Sequence, residues 1–473
     1  MRSHQVLDLL RAYESRNVTF IEPDDSWPIV WARAKGVNVW DAAGRKYLDL
    51  TAAFGVVAAG HANPRVVKAG QQQMAKLLHA MGDVHPHELK AKLARELSRI
   101  TFERWTRPNL KSQISNFKSP GEEATDPLLT EDALRSSPYA FLLSTPAPPL
   151  TGKTIFCNSG FEAVEAALKT AFLATGKGDL IVFRGGYHGL GYGALAATHR
   201  EHFRSRFRPQ LCEFGHFIPF PAQADEIENL IDVLDRRFRR RNIGAVLVEP
   251  VQGRGGIRVP PPEFLVVLRE LCNDHGALLI CDEIYTGFGR TGRWFACEHD
   301  KVVPDLICLG KALTGGFPLS ACVGRADLMD EAWPPSMGEA IHTSTFLGHP
   351  VGCAMALAQI GEIKRQKLVQ RSARLGKTLL AALQSEISDL KFQIHARGLG
   401  LMAGLELRLP DGSPATELTC RAIKALLRRG FILLPEGEHA NVISITPPLT
   451  ITEGELGRTV GALAEVLREL NQS

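Results

Sequence analysis

The sequence predicts an α/β fold, in which a large domain with a mainly parallel sheet is joined to a smaller α+β domain made from both termini. Two observations carry this expectation. Short apolar runs at 180–183, 245–248, 277–281 and 306–309 alternate with stretches whose apolar residues recur at helical spacing, the pattern of βα units. Each run also ends on polar or glycine residues, and open α/β sheets bind ligands beyond the carboxyl ends of their strands.

In chain order, residues 1–61 are assigned to the small domain, 62–349 to the large domain and 350–473 to the small domain again. Residues 107–150 interrupt the pattern with seven prolines and little periodicity, and are read as an inserted surface loop. Two crossover helices follow from the stripes Ile227, Leu230, Ile231, Leu234, Phe238 and Phe264, Leu265, Leu268, Leu271, Cys272. The strand ends then present Gly185-Gly186-Tyr187-His188-Gly189, Glu249-Pro250, Asp282-Glu283 and Gly310-Lys311. Four such coincidences in succession point to a single site gathered along one edge of one sheet. Beyond residue 370 come a helix-like stretch at 373–383, a segment at 398–407 and another ending Ile445-Thr446-Pro447-Pro448, the material of the smaller domain. The basic run at 235–241 closes an expected helix, where it offsets the helix dipole on a solvated face.

Composition excludes several function classes. With 473 residues, 45% hydrophobic, 22% charged and a formal net charge of +4, the chain is ordinary globular protein with no call for nucleic acid. No run of eighteen apolar residues offers a membrane span. Asp8 and Glu14 interrupt any Arg-rich transit pattern at the N-terminus, and no apolar signal core follows. Nine scattered cysteines without a CxxC pair read as reduced, mostly buried thiols in a cytoplasm-like compartment, and no metal ligand set is expected.

Four places carry chemistry. Asn158-Ser159-Gly160-Phe161 precedes a helix striped by Val164, Ala167, Leu168, Ala171 and Phe172, and a helix N-terminus with free backbone N–H groups is where phosphate binds. Most helices that start this way bind nothing, so the motif is weak alone. Tyr187 lies in a glycine-flanked turn, where its ring is either stacked on a flat ligand or simply part of the core. Asp282 follows a buried run and needs a cationic partner, either the protonated nitrogen of a pyridine or a nearby arginine such as Arg290. Lys311 ends another buried run beside small residues, where desolvation lowers its pKa and leaves a neutral amine available for imine formation; the competing reading is a snorkelling lysine.

Together these fragments resemble the class III aminotransferases, the pyridoxal 5′-phosphate (PLP) dependent family of fold type I, over most of the chain. The resemblance begins at Val39-Trp40-Asp41, Tyr47-Leu48-Asp49 and Gly60-His61-Ala62-Asn63-Pro64. It continues through NSGFEAVEAALK, YHG, VEPVQG, CDEIYTGFGRTG, PDLICLGKALTGGFPLSA and HTSTFLGHP, and closes with RGLGLMAGLEL and ITPPLTIT. It implies that Lys311 carries PLP as a Schiff base and then shuttles a proton, and that Asp282 keeps the ring nitrogen protonated. It further implies that Tyr187 stacks on the ring, that the backbone amides of Gly160 and Phe161 hold the phosphate, and that Thr345 reaches the phosphate of a neighbouring subunit. A homodimer with shared active sites is expected on that basis.

Departures from the family's common patterns bear on substrate. Phe161 stands where many members have Thr or Ser, and Tyr285 where glutamine is frequent. Leu190 replaces the arginine that grips the donor carboxylate in members acting on 4-aminobutyrate or ornithine, and Phe54 lacks a tyrosine hydroxyl found in ornithine-type members. Ser444 occupies the place of the arginine for the 2-oxo acid, while Arg254 stands where that arginine's glutamate partner lies. The pair is inverted, so Arg254 either takes over the carboxylate of the oxo acid or pairs with a local acid. The function expected is transfer of an amino group from an amine or amino acid, an ω-amino compound by preference, to a 2-oxo acid in ping-pong fashion. The alternatives are a PLP-dependent aminomutase, racemase or decarboxylase of the same family, or a relative without turnover.

Overall fold

The computed structural model describes residues 2–24, 26–106, 150–387 and 391–472, so the expected insertion at 107–150 lies, Leu150 apart, outside the described residues. Its centre is a seven-stranded sheet in the order Gly152–Cys157, Ser320–Arg325, Leu306–Leu309, Leu278–Asp282, Ile243–Val248, Asp179–Phe183, Gly215–Ile218. All neighbours are parallel except where Ser320–Arg325 runs antiparallel to both of its partners. The four strands expected from apolar runs are four consecutive neighbours in this order. Continuous burial explains their legibility: every residue of Ile243–Val248 and of Leu306–Leu309 is buried, as in a parallel sheet covered on both faces.

The expected crossover helices are Glu226–Arg240 and Phe264–His275, which bury Leu230, Leu234, Phe238 and Phe264, Leu265, Leu268, Cys272 respectively. A 16-residue helix, Gly160–Thr175, follows the first strand of the sheet and ends on Gly176 in the left-handed region, a common helix stop. In the second sheet, the N-terminal strand Lys46–Asp49 pairs in parallel with Phe431–Ile432, so the two ends of the chain meet in one structure. The third sheet carries the 398–407 segment as an antiparallel pair, Gln393–Leu399 with Met402–Arg408, followed by Val442–Ile445 and Leu434–Glu436. All nine cysteines are free thiols, seven of them buried. Among the described residues no helix is long and apolar enough to cross a membrane.

Candidate active site

A pocket of about 420 Å³ lies at the carboxyl ends of the parallel strands. Each of the four strand ends lines it, through Tyr187, His188 and Gly189, through Glu249, through Asp282, and through Lys311. Gly160, Phe161, Leu190, Arg254, Ile284 and Tyr285 complete the wall.

Asp282 is the last residue of its strand and is almost wholly buried. Its Oδ2 accepts a hydrogen bond from Nδ1 of buried His188 at 2.8 Å, and its Oδ1 accepts the N–H of Ile284 at 3.1 Å. The arginine considered as its partner is elsewhere: Arg290 Nη1 donates to the carbonyls of Leu401 and Pro447. His188 is therefore the contact that sequence reasoning missed, and its own backbone N–H is fixed on Thr198 Oγ1 at 2.9 Å. Glu249 braces the same turn from the adjacent strand. Its carboxylate accepts the N–H groups of Tyr187 and Gly253 at 2.9 and 3.1 Å, and burial raises its pKa to about 7.

Lys311 follows Gly310 with a φ of +37°, a conformation that costs a side-chain-bearing residue roughly 1–2 kcal/mol. Its Nζ lies 3.9 Å from the centre of the Tyr285 ring. Burial pulls the Lys311 ammonium below the usual lysine range, even though Asp282, Glu249 and Glu436 favour its charge. Tyr285 is held in turn by its phenol on Thr446 Oγ1 at 3.1 Å, and two glycines make room for its ring. A Cβ on Gly253 or Gly55 would meet ring carbons at 2.3 or 2.5 Å. Gly55 closes a turn in which Ala52, Ala53 and Phe54 all have positive φ, and this strained turn leaves Phe54 exposed.

At the other end of the pocket the Gly160–Thr175 helix begins. The carboxylate of Glu162 accepts the N–H groups of Asn158 and Ser159 at 2.6 and 3.2 Å, and the first amides of the helix have no intrahelical acceptor. Ser159 Oγ is buried with no hydrogen-bond partner among the described residues. Phe161 packs over Gly189 and Gly191, where a Cβ would meet it at 2.3 and 2.5 Å, so the helix start and the Tyr187 turn are locked together.

Arg254 stands with its guanidinium carbon 5.2 Å from the centre of the Tyr187 ring. Its Nε is 3.9 Å from Oε2 of buried Glu436, too far for a hydrogen bond, and neither atom has another partner among the described residues. Burial raises the Glu436 pKa against the pull of Arg254 and Lys311. No signal in the sequence marks Glu436. Ser444 lies on the neighbouring strand, paired with Leu434 two residues before Glu436, and is buried with its hydroxyl unpartnered among the described residues. Phe54, Ser444 and Thr345 are not among the residues that line this pocket, and Thr345 is exposed.

This donor set suits PLP. An amine whose charged form burial disfavours suits an aldehyde, a buried carboxylate suits a ring nitrogen, and a helix start with an orphaned serine hydroxyl suits a phosphate. Comparison with known proteins agrees. The model of the family described as "Aminotransferase class-III" matches residues 20–124 and 132–467. The chain is 36% identical to an acetylornithine aminotransferase of Methanopyrus kandleri, over 93% of this chain and 95% of that protein. It is 33% identical to a 5-aminovalerate aminotransferase of Pseudomonas aeruginosa, over 94% of each. A PLP-bound amine transaminase from an uncultivated Pseudomonas species superposes with a TM-score of 0.80 at 26% identity, covering 97% of this chain and 98% of that one. The pocket at the strand ends and these likenesses lead to one assignment: the chain belongs to the class III aminotransferases, which use PLP.

Proposed function

We propose that this transaminase moves an amino group from an ω-amino donor to a 2-oxo acid, with Lys311 and Asp282 as its catalytic residues. The observation that carries the reading is the convergence of a buried amine, a buried carboxylate and a helix N-terminus on one pocket. When bound, PLP supplies an aldehyde that takes up an amine and an electron-poor ring that accepts the electron pair released at the substrate carbon. The chain's residues do the rest. Lys311 Nζ would hold the aldehyde and would take up the proton from the donor carbon, a role that its lowered pKa favours. Asp282, oriented by His188, keeps the ring nitrogen protonated. Tyr187 would cover the ring, while Ser159 and the amides of Gly160 and Phe161 would hold the phosphate.

Substrate choice follows from the remaining wall. Arg254 is the cation for the oxo-acid carboxylate, since its Nε is not hydrogen-bonded to Glu436. Leu190 offers apolar surface to the donor from the wall, exposed Phe54 lies outside the lining, and Ser444 leaves the carboxylate to Arg254. The likeness to enzymes named for acetylornithine and 5-aminovalerate supports an ω-amino donor. We read the active form as a homodimer in the cytoplasm, with Thr345 serving the partner's phosphate. Exposed Ile341 and Phe346 flank Thr345, and exposed Leu78 and Met81 lie on a segment tied to it by the Thr343–Asp83 hydrogen bond of 2.7 Å, which supports a buried subunit contact there.

The decisive experiment is single-turnover reaction of the PLP-loaded enzyme with a panel of amines and amino acids, followed by the cofactor's absorption. Loss of the visible band with ω-amino donors, and its return on adding a 2-oxo acid alone, is expected. A band that returns without any oxo acid, or release of carbon dioxide, would move the protein to a racemase or decarboxylase reading.

A further inference from the structure

A second cleft, of about 1290 Å³, is lined by the edge strand Gly215–Ile218 on one side and by Arg397, Glu406 and Arg408 of the C-terminal sheet on the other. It shares no lining residue with the PLP pocket. Eight arginines and five carboxylates line it. Some of these charges are already matched: Glu406 holds Arg397 and Arg408, and Glu201 holds Arg208 at 2.6 Å. Others are not. Arg184, Arg200 and Arg241 have no ion pair among the described residues.

Arg204 is the deepest of these groups. It is only 6% exposed, and its guanidinium carbon lies 4.7 Å from the centre of the Phe217 ring. Its Nε has no hydrogen-bond partner among the described residues, and Nη1 comes no closer than 3.9 Å to Glu201. An arginine buried with open donors is costly unless an acceptor arrives. Burial above all, and a neighbouring arginine in each case, also depress the pKa of Arg200, Arg204 and Arg258. The wall is prebuilt, because Arg397 Nε and Nη2 donate to the carbonyls of Ile257 and Gly256 at 2.9 and 2.7 Å and pin the turn that carries Arg258.

We propose that this cleft is a second binding site, for a small multivalent oxyanion, with Arg204 at its floor and Arg184 and Arg241 at its exposed rim. A guanidinium presents a planar fork to phosphate and carboxylate alike, so the chemistry shared by phosphate-bearing and polycarboxylate metabolites is what the site recognises. Gly255 and Gly437 of the cleft adjoin Arg254 and Glu436 in the chain, so the two sites share walls without sharing residues.

Calorimetric titration of the PLP-saturated protein with pyrophosphate, and separately with citrate, tests this with the cofactor's phosphate site already filled. One saturable event per chain is expected for at least one of the two ions, and the tighter one identifies the source. Arg204→Gln weakens it by at least about ten-fold while PLP content is unchanged. The exposed double variant R184Q/R241Q, which leaves the buried floor intact, weakens it in the same direction and decides the matter if the Arg204 variant does not fold. No saturable heat with either ion, or unchanged affinity in R184Q/R241Q together with unchanged affinity in any folded Arg204 variant, overturns the proposal.

Discussion

His188 Nδ1 donates to Asp282 Oδ2 at 2.8 Å, and with the Ile284 N–H on Oδ1 it fixes the orientation of the carboxylate proposed to face the cofactor's ring nitrogen. A hydrogen bond to a charged group contributes about 1.5–3 kcal/mol, which corresponds to roughly ten- to hundred-fold in rate or affinity. His188→Leu is therefore expected to lower kcat by about that factor and to weaken PLP retention, whereas H188Q, which keeps a donor, recovers part of both. If H188L retained wild-type kcat and PLP affinity, Asp282 would need no such support.

Lys311 gives a prediction in pH. Only the neutral amine captures the PLP aldehyde, and burial disfavours the ammonium, so the folded pKa is lower than the ordinary 10.5. The rate at which cofactor-free protein captures PLP, followed by the growth of its visible absorption, should rise with pH with a midpoint below 10.5. Lys311→Ala should show no such growth. A midpoint at or above the ordinary lysine value would contradict the buried, desolvated amine.

Glu249 predicts the pH dependence of stability. Its pKa rises from 4.5 to about 7 on folding, because burial penalises the charged form. Stability from this group is complete below the unfolded value and is lost as pH climbs through the folded one, so the window runs from about 4.5 to 7, and the cost there reaches roughly 3 kcal/mol. Glu249→Gln removes that titration and keeps an amide oxygen for one of the two backbone N–H groups. In cofactor-free protein the Tm of E249Q relative to wild type should therefore increase between pH 5 and pH 8. A difference that stays flat with pH would remove the titration of Glu249 from the account.

Much of this was legible in the sequence, and the gaps have physical causes. The four internal strands announce themselves because burial on both faces demands unbroken apolar runs. Ser320–Arg325 escapes notice because it fills an equally buried position with Ser, Ala, Cys, Val and Gly, which make no run. Gly152–Cys157 and Gly215–Ile218 are the sheet's two edges and bury fewer residues. In the site, Lys311 and Asp282 stand at strand ends, where position alone suggests a task. His188 gains its task only from a residue 94 positions away, and Glu436 only from the three-residue strand that brings it to Arg254.

On the reading proposed above, that last pair also governs how the second substrate is held. With Arg254 Nε 3.9 Å from Glu436 and not hydrogen-bonded to it, the guanidinium is attracted by the glutamate but retains free donors for a carboxylate. Under the proposed assignment of Arg254 to the oxo-acid carboxylate, the oxo acid competes with Glu436 for the same cation. Arg254→Ala should raise KM for the 2-oxo acid by roughly ten- to hundred-fold, the worth of a charge-assisted hydrogen bond, while the half-reaction with the amino donor keeps its rate. Glu436→Gln should act in the opposite sense and lower that KM, because removing the competing charge leaves the guanidinium to the substrate. A KM unmoved by R254A for every oxo acid tried would assign the carboxylate to another group, and a KM raised by E436Q would mean that the glutamate positions the arginine instead of competing for it.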